Sequence, residues 1–189
     1  MKCRICEGPT RSVFDLHSKR HGVAVPVFRC DACDAYFSAG GPVNYDDADV
    51  TAYYMAFADS IRRRYDRVFD RVEAAVRPGR FLDIGAGMGF SLEVANRRGW
   101  RSAGIEPNRT LADHAHSRGL DVDQGYLDEG RKGEYDFVLI DNVLEHVPHP
   151  VTFLRHAARL LSSTGLLLVA VPPLDWLRKG LGSIRTVRD

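Results

Sequence analysis

Residues 80–99, RFLDIGAGMGFSLEVANRRG, constrain the fold more than any other stretch of the 189-residue chain. A short apolar run leads into glycines at positions 85, 87 and 89, and apolar residues at helical spacing then continue to a glycine stop. That order reads as strand, tight turn and helix. The alternation repeats. RSAGIE (101–106) reads as a strand and PNRTLADHAHSRG (107–119) as a helix opened by Pro107 and closed by Gly119. LDVDQG (120–125) is a weaker strand, YDFVLIDNV (135–143) a strong buried one, VTFLRHAARLLSSTG (151–165) a helix, and LLLVAVPP (166–173) another buried strand. Strands and helices in alternation require a parallel sheet with right-handed crossovers and helices on both faces, so the expected class is α/β, doubly wound.

In such a sheet the first strand-to-helix turn cradles the ligand, at the carboxyl ends of the strands. Glycines there let the backbone turn sharply and let a ligand lie almost against it. A dinucleotide fingerprint is G-x-G-x-x-G; here the spacing is G-x-G-x-G and Asp83 precedes it. An acidic group beside a helix N-terminus cancels the field that would hold a pyrophosphate, and it suits a cation instead. S-adenosylmethionine (SAM) offers a sulfonium, an ammonium and ribose hydroxyls, with no phosphate. Glu106, at the end of the next strand and 21 positions after Gly85, is placed to accept from both hydroxyls. This chemistry favours SAM over a nicotinamide dinucleotide.

All four cysteines fall in the first 33 residues, as CRIC (Cys3, Cys6) and CDAC (Cys30, Cys33). Two C-x2-C knuckles suit one tetrahedral Zn2+, and a reducing compartment disfavours disulfides, so residues 1–40 read as a structural zinc ribbon. RSVFDLH and VAVPVFRC are its strand-like runs, with a polar turn, SKRHG, between them. So small a module has little core, and the metal is expected to hold it together. His17 and His21 lie inside it and would ligate only if a cysteine were displaced. A Gly/Pro/Asp-rich break at 38–49 follows. From Thr51 to Arg77 the apolar residues recur every three to four positions, which predicts one long amphipathic helix ended by Pro78-Gly79. Residues 41–79 are therefore read as linker and helix, and 80–189 as the ligand-binding domain. Arg62-Arg63-Arg64 reads as a solvated face or as a group reaching an acidic partner.

A net charge of +1 gives no global attraction to a nucleic-acid backbone, so nucleic acid is not the expected partner. No apolar run approaches the roughly 20 residues of a membrane span, and the first residues do not read as a signal peptide. The expectation is a cytoplasmic protein acting on a small molecule. Neither the acceptor nor the oligomeric state is readable.

FLDIGAGMG, AGIEPN, YDFVLIDNVLEHVPHP and LLLVAVPP, in this order and spacing, resemble the class I SAM-dependent methyltransferases. The subgroup with an N-terminal zinc ribbon and a VLEH segment, as in sugar and other small-molecule methyltransferases, is the one the chain resembles. The resemblance covers residues 50–173, and the ribbon extends it to the start. It implies a Rossmann-like sheet and methyl transfer from SAM to an oxygen or carbon acceptor. The backbone of Gly85, Ala86, Gly87 and Gly89 would wrap the methionine part, with Asp83 near its ammonium. Glu106 would take the ribose, Pro107 and Asn108 would border the adenine, and Tyr126 and Leu127 would cover its edge. Asp141 and Asn142 would line the methionine end. The long helix would act as a lid, with Tyr45, Tyr53 or Tyr54 either touching the ligand or packing on the sheet.

His146, in VLEHVPH just past the fourth strand, stands where a base would take a proton from an acceptor; the other reading is that Glu145 and His146 cap the turn. Some relatives bind a divalent cation through E-x-x-E-H. Here Asn142 takes the first place, and a missing carboxylate weakens a hard-cation site, so no catalytic metal is expected. His114, His116, His149 and His156 have no partner pattern. An RNA methyltransferase and a non-catalytic SAM-binding or zinc docking protein remain as alternative readings. The family's sheet normally continues past the fifth strand, whereas 16 residues follow LLLVAVPP, which would leave an apolar edge. Either the chain is a fragment of a longer protein, which is the favoured expectation, or a partner supplies the cover.

Overall fold

The computed structural model describes residues 1–18, 23–38 and 49–172. The expected turn and break at 18–22 and 38–49, Tyr45 and the tail from 174 lie wholly or mainly outside the described residues. Strands β1 (Thr10–Ser18), β2 (Val23–Cys30) and β3 (Tyr36–Ser38) form an antiparallel sheet in that order. β3 pairs only with residues 27–29, so Pro26, which lacks an N–H, lies beyond its reach although β2 is the central strand. The ribbon buries almost nothing apolar. Among the described residues, besides Cys3 and Cys30, only Val27 is a buried hydrophobic residue of the ribbon, and Phe28 stacks on Phe37 at 6.1 Å.

The expected single helix is two, α1 (Asp49–Ala56) and α2 (Ala58–Glu73), broken at Phe57 with φ −109° and ψ 8°. In α2 the apolar stripe follows the sheet, and Phe69 and Val72 are buried. The apolar residues of α1 instead run consecutively, so no single face can be buried, and Met55 stays 52% exposed. α2 also ends before Arg77, since the residue preceding Pro78 disfavours helical backbone.

The second sheet contains β4 (Arg80–Ile84), β5 (Arg101–Glu106), β6 (Val122–Gln124), β7 (Tyr135–Asp141) and β8 (Leu161–Ala170), all parallel, in the order β6-β5-β4-β7-β8. This is the doubly wound α/β class expected, and the order reverses between β4 and β7. Helices α3 (Phe90–Arg97), α4 (Arg109–Ser117) and α5 (Pro150–Ala158) connect the strands. Asn108, not Pro107, caps α4, its Oδ1 accepting the Leu111 N–H at 2.9 Å. α5 stops at Ala158 instead of running to 165. Its follow-on, LSSTG, already belongs to β8, whose pairing jumps from Leu161 opposite Tyr135 to Leu166 opposite Phe137. Gly165 permits that jump, because a Cβ there would lie 2.6 Å from the Tyr135 carbonyl oxygen.

Strand alternation sorts the sheet into two cores. Phe81, Phe137 and Leu139 face α2 and α3, together with Phe69, Leu92 and Trp100. Leu82, Ile84, Val138 and Ile140 face α5, with Ala157 and Leu160. The same parity sends Asp83 and Asp141 to the α2 side. Among the described residues β8 pairs only with β7, and Val169 and Val171 are 38% and 51% exposed.

Phe69 joins the helix to the sheet: its ring lies 5.2 Å from Phe81, 5.6 Å from Phe137 and 5.8 Å from Trp100. Phe69→Ala should therefore lower stability by about 3–5 kcal/mol in urea unfolding. Met55→Ala should change it by about 0.5 kcal/mol or less. Equal effects would show that α2 is not anchored as described.

Candidate functional site

The turn after β4 is fixed by two hydrogen bonds from the neighbouring strand's end, with the Ile105 carbonyl accepting the N–H groups of Gly85 (2.8 Å) and Ala86 (3.0 Å). Gly85, Gly87 and Gly89 have φ of +85°, +55° and +78°, all in the left-handed region that glycine adopts without strain. Their surroundings differ. A Cβ on Gly85 would strike Val143 at 2.3 Å and one on Gly89 would strike Leu120 at 2.4 Å, so these two let protein pack closely. A Cβ on Gly87 would meet only the Tyr54 ring, at 3.9 Å. Gly87 is therefore the glycine that faces open space, and α1 sets Tyr54 above it. The Ala86 side chain points into the sheet, over Gly104, and leaves its backbone to the loop.

Three carboxylates gather around this turn. Asp83 is 1% exposed; its Oδ2 accepts from the Ser91 hydroxyl, and its Oδ1 has no partner among the described residues. Burial pushes its pKa up to about 7, the Ser91 hydroxyl opposes that, and the nearby charges of Asp141 and Glu106 add to it. Glu106 is buried as well. Its Oε2 accepts the Gly87 N–H at 2.7 Å and its Oε1 the Asn108 N–H at 2.8 Å, so the expected ribose acceptor also ties down the glycine loop. Burial raises its pKa against the pull of those two amides. Each oxygen keeps a second lone pair.

Asp141, at the end of β7, is held from α2. Arg64 donates from both terminal nitrogens, Nη1 to Oδ1 at 3.2 Å and Nη2 to Oδ2, and the Tyr65 hydroxyl donates to Oδ2 at 3.1 Å. Asn142 Nδ2 adds a bond to Oδ1 at 3.0 Å. The carboxylate raises the Arg64 pKa, while burial drives Tyr65 well up. The arginine triplet thus points three ways: Arg62 bonds Glu93 and lies 4.6 Å over Phe90, Arg63 bonds Ser60, and Arg64 reaches the carboxylate cluster. Tyr65 and Ser91 are site residues that the sequence reading did not single out. Tyr65 lies on the apolar stripe of α2, and a buried hydroxyl needs a partner, which was the available signal.

Other expected residues border this cluster or lie outside it. The Asn108 side chain is committed to capping α4, and the Pro107 carbonyl accepts from Gln124 at 3.1 Å. Tyr126 is 81% exposed, and Leu127 packs on the core that contains Leu82 and Ile105. Asn142 takes φ +55° and turns the chain into the short 3-10 helix Leu144–His146. The His146 side chain is 38% exposed there, its Nε2 3.9 Å from Glu145 Oε1. The side chain of Tyr53 is outside the described residues.

In the ribbon the four cysteine Sγ atoms all lie within 4.8 Å of one another, with Cys3 and Cys33 at 3.6 Å and Cys6 and Cys30 at 3.5 Å. A tetrahedral zinc with bonds of about 2.3 Å requires sulfurs roughly 3.8 Å apart, whereas a disulfide requires about 2.05 Å. The donor set fits the ion. Both knuckles are built alike. The amides of Ile5 and Ala32 donate to the Sγ of Cys3 and Cys30, each at 3.4 Å, and Glu7 and Asp34, four residues after those cysteines, take φ of +61° and +60°.

The chain is 39% identical over 117 residues to a ubiquinone biosynthesis O-methyltransferase of Caulobacter vibrioides, a match over 54% of this chain and 45% of that protein. It spans about half the length of the curated relatives it matches. Among solved structures it resembles the plantazolicin methyltransferase BpumL in complex with SAH, with a TM-score of 0.61 and 18% identity over 76% of this chain and 61% of that one. It also resembles SAM-bound CalS10, an amino pentose methyltransferase from Micromonospora echinaspora, with a TM-score of 0.56 and 22% identity over 68% of this chain and 58% of that one. These two likenesses concern the fold. A family model described as a methyltransferase domain matches residues 57–185, well over half of the sequence, and the chain belongs to that family.

Proposed function

We propose that this chain carries the SAM site of a methyltransferase that acts on an oxygen or carbon of a small molecule, and that its ribbon holds a structural zinc. One observation carries the reading. Asp83 is a fully buried carboxylate with an unpartnered oxygen, beside the one loop glycine that faces open space. Such a group is costly without a cation, and SAM brings one. Two carboxylates, Asp83 and Asp141, and one guanidinium, Arg64, converge from β4, β7 and α2. Together they complement an amino-acid zwitterion, the carboxylates its ammonium and Arg64 its carboxylate. The O-methyltransferase relatives and the SAM- and SAH-bound neighbours support the same cofactor.

When bound, SAM supplies an electrophilic methyl group on a sulfonium. The chain's task is alignment, because an in-line displacement gains most from holding both reactants in place. Gly87 gives the backbone approach, Glu106 accepts from the ribose with its free lone pairs, and Tyr54 covers the loop. Pro107, Asn108, Tyr126 and Leu127 border the adenine in this reading. His146, on the rim past β7, takes a proton from the acceptor at its imidazole. Cys3, Cys6, Cys30 and Cys33 hold the zinc.

Calorimetric titration with SAM, with NADH as control, should show saturable binding of SAM alone. Its pH dependence is specific. The empty site keeps Asp83 protonated up to about pH 7, and an apposed ammonium favours the carboxylate, so binding expels a proton below that pH. Affinity should rise about tenfold per unit towards pH 7 and level off before the ligand's own ammonium titrates near 8. Asp83→Asn should flatten that profile and weaken binding at pH 7.5 by about 2 kcal/mol. A pH-independent affinity in the unmodified chain would remove Asp83 from the site. His146→Ala should leave SAM affinity within about twofold and cut transfer of labelled methyl into small-molecule extracts by about 100-fold or more; undiminished transfer would make His146 structural. Elemental analysis should give one zinc per chain, and chelation should expose all four thiols to a thiol reagent. A zinc-free chain with protected thiols would exclude the tetrathiolate.

A further inference from the structure

A cavity lies where the first knuckle of the ribbon faces the start of α5. It has two adjoining lobes of about 320 and 420 Å³, a size suited to small ligands. Arg4, Glu7 and His149 line both lobes, Arg155 and Thr152 the first, and Lys2 the second. Arg4 comes from the ribbon and Arg155 from α5, so two guanidinium groups approach from opposite walls. Most arginines that face a neighbouring element here are answered by a carboxylate, as Arg62, Arg64 and Arg98 are. Arg4, Arg155 and Lys2 are not: among the described residues none has an ion-pair partner, although Arg4 also lies 5.6 Å over the Phe37 ring.

The geometry points to this cleft as the binding site for a phosphate group on the methyl acceptor. A planar carboxylate is satisfied by a single guanidinium fork, whereas a phosphate has three terminal oxygens and can be gripped from two walls at once. Lys2, Arg4 and Arg155 outnumber Glu7 among the charged side chains of the cleft, while Cys3 and Cys6 of the proposed tetrathiolate line it too, so the grip on a phosphate comes from the two guanidinium forks and not from a net charge. A zinc tetrathiolate would itself carry two negative charges. Its sulfurs already accept amide bonds from Ile5 and Ala32, and Lys2, beside Cys3, lies on that side, while Arg155 stands on the opposite wall. The cleft also opens near the chemistry. His149 and Pro148 belong to the loop that carries His146, and three residues reach at most roughly 10 Å. An acceptor anchored by its phosphate in the cleft therefore extends to the rim where the methyl is transferred. The ribbon in this arrangement is one wall of the acceptor site.

The inference rests on the methyltransferase reading for its acceptor, and its test does not. Isothermal titration of the chain as purified, with its metal content measured, should show saturable binding of inorganic phosphate and at least tenfold weaker binding of acetate. The double variant Arg4→Ala/Arg155→Ala should bind phosphate at least tenfold more weakly and SAM as before. Should that variant lose its metal, Arg155→Glu alone, on the exposed face of α5, should give the same loss. Phosphate binding that is absent, or untouched by Arg155→Glu, overturns the site. So does tight binding of a short RNA that phosphate does not displace, which would assign the cleft to nucleic acid. Phosphate binding that persists in a chain unable to bind SAM sinks the methyltransferase reading and leaves the cleft assigned.

Discussion

The packing of α2 onto the sheet through Phe69 is the contact from which the site takes its form. Phe69 is fully buried between Phe81, Phe137 and Trp100, and one turn earlier along the same helix Tyr65 and Arg64 come to lie over the ends of β4 and β7. At the other end of α2, Glu73 accepts from both Arg98 and Trp100. The helix is thus clamped by apolar contact in the middle and by charge at its end. The break at Phe57 then frees α1 to turn and set Tyr54 above Gly87. Remove the aromatic contact and Asp83 loses the cover that keeps its carboxylate out of water.

The two parts of the molecule are stabilised by different means. The parallel sheet has apolar cores on both faces, so strand alternation alone specifies which side chains go where. Among the described residues the ribbon buries one apolar side chain, Val27, besides Cys3 and Cys30. Its two knuckles repeat one geometry instead, with Glu7 and Asp34 in left-handed backbone and the amides of Ile5 and Ala32 donating to sulfur. A module with so small an apolar core would depend on the proposed metal for order, and any wall it offers to the proposed cleft would be only as well placed as that tetrathiolate.

Much of this was legible in residue order, because the deciding forces are local or periodic. Strands β4, β5 and β7 follow from apolar runs ended by glycine or acidic residues, and the parity of Asp83 with Phe81 follows from the period of a strand. The glycine turn and the two C-x2-C knuckles carry fixed spacings. What stayed hidden depended on long-range contact. Arg64 and Asp141 are 77 residues apart, and nothing local distinguishes Arg64 from Arg62 or Arg63. The ends of helices were misjudged where tertiary structure decided them. LSSTG is compatible with a helix end, yet the five residues are taken into β8 because Leu166 must reach Phe137. The three glycines looked equivalent in sequence, and only the positions of Val143, Leu120 and Tyr54 show that two serve packing and one faces space.

The charge balance at the strand ends explains why such an arrangement persists. Asp83, Glu106 and Asp141 are three acidic groups in one partly closed space, and Arg64 is the guanidinium among them. Folding alone would favour apolar residues at Asp83, since removing a carboxylate from water costs several kcal/mol unless it is paired. Burial raises the pKa of Asp83 to about 7, which lessens the charge the fold has to bury. In the proposed reading an arriving cation would turn that latent charge into a full ion pair. The destabilisation and the affinity therefore have a single source. A variant that relieved it with an apolar residue of similar volume would fold more tightly and bind a cationic ligand less well.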